Sequence, residues 1–171
     1  MEEYNEVLYS KNVIEFVTVA KEYCLFVEDC TNKPKSQILA SMQKFLPLLY
    51  LKASMLPALE SINDEGNEKF VSETHWNKIN TIFSAKFGDD DTYRDIFDTT
   101  MNELNESFTL SISEDFTDIY QDLKDFISLF SYGTSEIMLE ALWECRNNFE
   151  IYWGHRVLSA LRAIHLILYK K

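Results

Sequence analysis

Two stretches of the chain place acids and bases at spacings that could do chemistry. In "SEDFTDIYQDLKDF" (113–126), Asp115, Asp118, Asp122 and Asp125 recur every three or four residues. On a helix, at about 100° per residue, they share one side, while Phe116, Ile119, Tyr120, Leu123, Phe126 and Ile127 share the other. A charge stripe of this kind is ordinarily a solvated face, and that is the expectation here. The chemical alternative is a paired-carboxylate site made by Asp118 and Asp122, one turn apart.

The second stretch, "FEIYWGHRVLSALRAIH" (149–165), mixes two histidines, two arginines and a glycine with large apolar side chains. Carried back to residue 143, a helical projection puts Trp143, Arg146, Glu150, Trp153, Val157, Leu161 and Ile164 on one broad face. Arg146 and Glu150 can pair across one turn. Lying between two tryptophans, that pair is expected to be at least partly buried, and buried charge needs partners such as Asp118 or Asp122. His155, Ser159 and Arg162 fall on a different side. A lone histidine beside apolar residues is more often a hydrogen-bonded structural residue than a catalyst.

The familiar catalytic arrangements do not assemble. A bundle-type di-iron site needs Glu-x-x-His motifs, and His75, His155 and His165 all lack a glutamate three residues earlier. The cysteines at 24, 30 and 145 lack the close spacing of a zinc site. "DDDTYRD", read as a calcium loop from Asp89, puts Arg94 and Thr100 where Gly and Glu are required. No phosphate-binding or dinucleotide glycine motif is present. Ser159, His155 and Asp118 could be imagined as a triad, but a mid-helix serine is a poor nucleophile. Magnesium on Asp118 and Asp122 would need further ligands. No cofactor and no metal are expected.

These residues must be positioned by helices. The 171 residues contain only 4 Gly and 3 Pro, too few for many short strands, while aromatics reach 14%. Apolar residues at helical spacing mark a helix from Ser10 to Glu28. A second starts near Pro34, where Pro47 either kinks or divides it. A third runs from about Ser72 to a stop at Gly88. The aspartates at 89–91 read as N-caps of a helix carrying Tyr93, Ile96, Phe97, Met101 and Leu104. "SFTLSIS" (107–113) reads as a connector, since one short strand has nothing to pair with. Ser111 and Glu114 form a capping box for a helix from about Ser113 to Phe130. The last helix runs from about Glu136 towards Tyr169, with a bend expected near Gly154. The fold class is all-α: one domain over residues 1–171, a bundle of six or seven helices.

The net charge of -12 disfavours nucleic acid and anionic membrane surfaces as partners. It is unevenly placed: residues 89–125 hold 12 acidic and 2 basic side chains, residues 142–171 hold 5 basic and 2 acidic. The acidic and basic segments could pack together. No run of apolar residues suits a membrane span, the N-terminus lacks a signal-peptide pattern, and the odd, scattered cysteines suit a reducing cytoplasm.

Two segments in this order, "DFTDIYQDLKDF" (115–126) and "WECRNNFEIYWGHRVLSALRAIH" (143–165), resemble the bacterial, uncharacterised family called domain of unknown function 5063. "FLPLLYLKASMLP" (45–57) supports the resemblance, which spans nearly the whole chain. Here the glycine is followed directly by His155, one residue short of the family spacing. The resemblance implies a helical fold and no established activity. It points to Asp118, Tyr120, Asp122, Trp143, Arg146, Trp153, Gly154, His155 and Arg162. The sequence therefore favours a cytoplasmic, non-catalytic binding or interaction module, with an Asp/Tyr/Arg/His network between its last two helices. The alternative is a small-molecule protein or enzyme that uses the same cluster in a cleft to bind an anionic ligand. A third option docks a basic protein on the acidic surface of residues 89–125.

Overall fold

The computed structural model describes residues 2–63, 66–95 and 108–170. Its α-helices are α1 (Glu2–Leu8), α2 (Lys11–Glu28), α3 (Lys35–Ser54), α4 (Glu73–Phe87), α5 (Ile112–Tyr132), α6 (Ser135–Asn148) and α7 (Gly154–Leu168). A π turn, Phe149–Trp153, joins α6 to α7. Two short strands, β1 (Thr92–Asp95) and β2 (Phe108–Ser111), pair antiparallel, with Thr92 opposite Ser111 and Tyr93 opposite Leu110. The fold is all-helical apart from this ribbon.

The boundaries have local causes. Ser72 and Ser111 each accept a hydrogen bond from a backbone N–H three residues on, at His75 and Glu114, and so open α4 and α5. Gly88 closes α4 with φ 56°, a conformation most side chains resist. Pro47 lies inside α3, which continues through it without dividing. α1 was not legible as a separate element.

One expected helix is corrected. Residues 92–95 are strand, and Ile96, Phe97, Met101 and Leu104 lie outside the described residues. The connector at 108–111 does have a partner, namely β1. Asp91 explains the change. Its backbone oxygen accepts from Ile112 N at 2.9 Å, and its carboxylate accepts from Ser113 N, Ser113 Oγ and Ser111 Oγ at 2.8–3.0 Å. Asp91 thus serves the first turn of α5 rather than a helix of its own, and holds β1 beside β2.

α5 lies at the centre, packed against α2, α4, α6 and α7. Its apolar side, with Phe116, Ile119, Tyr120, Leu123 and Phe126, is buried. Phe16 packs 5.5 Å from Phe126 and 6.4 Å from Trp153, and Phe83 stands 5.4 Å from Phe116. Burying a large apolar side chain stabilises by about 1.5–3 kcal/mol, so this shared face orders four helices around one.

The change at Gly154 is a π turn. Gly154 N–H reaches back to Phe149 O, and a Cβ on residue 154 would stand 2.4 Å from that oxygen. Alanine in a helix interior is normally worth about 1 kcal/mol over glycine. Here the obstacle is backbone and cannot swing away. Gly154→Ala is expected to destabilise by roughly 1–3 kcal/mol, read from chemical denaturation.

Candidate functional site

The acidic stripe of α5 is not a solvated face. Asp115, Asp118 and Asp125 are buried, Asp115 completely. α5 is surrounded on most sides, so both its faces meet protein. A buried carboxylate must be paired or neutralised, and these find donors on several neighbouring elements.

Asp115 and Asp118 share one cation, Arg156 of α7. Its Nη1 lies 2.8 Å from Asp115 Oδ1 and its Nε 3.0 Å from Asp118 Oδ2. Tyr93 of β1 donates to Asp115 Oδ2 at 2.5 Å. Trp76 of α4 donates its indole N–H to Asp118 Oδ1 at 2.8 Å. Tyr152, in the π turn, donates to Asp118 Oδ2 at 2.8 Å, and its ring lies 4.9 Å from the Arg156 guanidinium. Burial opposes the charge on Arg156, but Asp118 and Asp115 outweigh it and hold its pKa above the ordinary value.

The other two aspartates are held separately. Asp122 accepts from Asn148 Nδ2 at 2.6 Å, at the end of α6. Asp125 accepts from Phe70 N at 2.7 Å and Val71 N at 3.0 Å, which fixes the approach to α4. Burial pushes Asp122 up from an ordinary 3.8 to about 6, against the Asn148 hydrogen bond. It does the same to Asp115, to about 6, against Tyr93 and Arg156.

Several expected residues lie elsewhere. Tyr120 donates to Glu28 Oε1 at 3.0 Å, a group that also takes Lys124. Trp153 is buried and donates to Cys145 O at 3.0 Å. Trp143 is half-buried. Arg146 pairs with Glu150 at 2.9 Å, and Glu150 is exposed; neither Asp118 nor Asp122 is its partner. His155 is exposed, and the exposed Arg162 donates to Arg94 O at 3.1 Å. Of the nine positions singled out from the sequence, only Asp118 joins the central cluster. Asp115, Trp76, Tyr93, Tyr152 and Arg156 were missed as members. The surplus of buried aspartates was the signal for a cation. The π turn made Arg146 the apparent choice, because its extra residue shifts the projection of α6 by one position relative to α7.

A cavity of about 540 Å³ lies past Tyr93, beside α7, and is lined by neither Asp118, Asp122 nor His155. Among the described residues, no three His, Cys, Asp or Glu side chains converge as metal ligands would, and no helix is long and apolar enough to cross a membrane. Cys24, Cys30 and Cys145 are buried and unpaired, and burial pushes each thiol up.

The comparisons meet this geometry. The family model described as "Domain of unknown function (DUF5063)" matches residues 7–170. The chain belongs to that family. Among solved structures, the chain is similar to protein BF1032 from Bacteroides fragilis, 40% identical, with a TM-score of 0.86 over 96% of this chain and 97% of that one. No curated protein matches. The family match, residues 7–170, spans all five elements that build the Asp115–Asp118–Arg156 cluster.

Two outcomes are expected. Arg156→Ala strands two carboxylates and should cost roughly 2–4 kcal/mol, less than the ~3–5 of a fully buried pair because Arg156 keeps 26% exposure. His155→Ala should stay within about 0.5 kcal/mol, since His155 is exposed. Thermal and urea melts of the two variants check both. For pH, Asp115 and Asp122 titrate higher folded than unfolded, so the folded state binds protons more tightly. Their contribution is fully present below the unfolded value of 3.8 and is lost as pH rises through about 6. The melting temperature should therefore climb as pH falls from roughly 7.5 to 5.5, and Asp122→Asn should flatten that climb.

Proposed function

We propose that the protein is a non-catalytic helical binding or interaction module whose Asp115–Asp118–Arg156 network is scaffold. One observation carries the reading: every oxygen of the two carboxylates already accepts from a side chain of the protein. A general base needs a carboxylate oxygen open to a substrate proton, and each oxygen here already faces a donor of the protein. The donors come from α4, β1, the π turn and α7, as a network that fastens elements would require. On this reading residues 1–171 act as one helical unit. The acidic balance and buried thiols support a cytoplasmic setting with a protein or small-molecule partner rather than nucleic acid.

The rival is a cleft in which the same residues hold a small anion. Nuclear magnetic resonance separates the two, using the Trp76 indole N–H and the Arg156 Nε–H as local reporters. With phosphate or acetate added to about 10 mM, the scaffold reading expects both signals to stay in place and exchange slowly with solvent. Saturable shifts of both signals would establish the cleft and end the scaffold reading.

A further inference from the structure

The cavity of about 540 Å³ opens between the Gly88–Asp90 turn, the start of β1 and the last turns of α7. Its volume falls within the roughly 300–1,000 Å³ of small-molecule pockets. The wall is apolar and aromatic, with Tyr93, Ile112, Ala163, Ile167 and Tyr169. Both tyrosines are held from outside it. Tyr93 donates to Asp115, and Tyr169 accepts from Gln43 Nε2 at 2.8 Å. A wall fixed in advance costs less ordering when a ligand arrives.

The charges decide the ligand class. Of the two lining aspartates, Asp90 is taken by Lys35 at 2.5 Å. Asp89, His165 and Lys170 also line the cavity; among the described residues Asp89 and Lys170 make no direct hydrogen bond or ion pair, and the Lys170 charge also acts on Asp90. One charge of each sign, Asp89 and Lys170, thus stands beside the apolar wall without a direct ion-pair partner among the described residues. A purely anionic or purely cationic guest would satisfy one and oppose the other.

We propose that this cavity binds a small zwitterion with an apolar body, such as a hydrophobic amino acid or short peptide with free termini. Its ammonium faces Asp89, its carboxylate faces Lys170, and its side chains lie against Tyr93 and Tyr169. The inference rests on the binding-module reading and gives that reading its site.

The test is calorimetric titration with four forms of leucyl-phenylalanine: zwitterion, N-acetyl, C-terminal amide, and doubly blocked. The zwitterion should bind best, with a dissociation constant below about 10 mM. Asp89→Asn should weaken it roughly two- to fivefold and leave the N-acetyl form unchanged, and Lys170→Gln should do the converse with the amide. Both positions are exposed, so neither variant threatens the fold. Equal binding of all four forms, binding indifferent to both variants, or no binding would each overturn the proposal. The Trp76 and Arg156 signals judge the scaffold reading separately, so either can fail without the other.

Discussion

Three charges sit where α5, α7, α4 and β1 meet: the carboxylates of Asp115 and Asp118, and the guanidinium of Arg156 between them. Taking such groups from water costs several kcal/mol each, and attraction offsets that only when every remaining donor and acceptor is used. Here Trp76, Tyr93 and Tyr152 each donate to a carboxylate oxygen, so that all four oxygens have a partner. The position of α7 against α5 is thereby tied to one geometry, since sliding either helix by a turn would leave buried charge unpaired. Apolar contacts alone tolerate such slips far better.

The apolar core supplies the mass of the stabilisation and the charged cluster supplies its register. Phe16 and Phe83 pack on one side of α5, against Phe126 and Phe116, without specifying which carboxylate faces which donor. The carboxylates do so on the other. Asp91, at the first turn of α5, and Asp125, near its last third, extend the same device: Asp91 accepts backbone N–H groups of α5, and Asp125 of α5 accepts those of Phe70 and Val71, so each joins α5 to a non-helical segment. Acidic residues in this chain are thus heavily used as acceptors, which accounts for part of the imbalance between acids and bases.

Much of the fold was legible because its signals are local. Ser72, Ser111 and Gly88 mark helix ends through their own hydrogen bonds and dihedral angles. The ribbon was not legible, because β1 and β2 stabilise each other across a gap in sequence that no periodicity records. The site was half legible. The stripe at 115–125 stood out, but a helical projection cannot tell a solvated stripe from one covered by neighbours. A single projection sets Arg146 on the wrong face because the π turn at Phe149–Trp153 puts α6 and α7 out of phase: α6 buries Leu142 and Cys145, one position before the projected Trp143 and Arg146. His155 and Arg162 drew attention through their types, yet both point outward.

If the cluster is the fastening that sets register, its members must act as a unit. A double-mutant cycle of Asp118→Asn and Arg156→Met, measured by urea denaturation, tests this most directly. The account predicts a coupling energy of at least about 1 kcal/mol, with the double variant less destabilised than the two single variants added together. Additivity within about 0.3–0.5 kcal/mol would mean that the two residues act independently, and would contradict it.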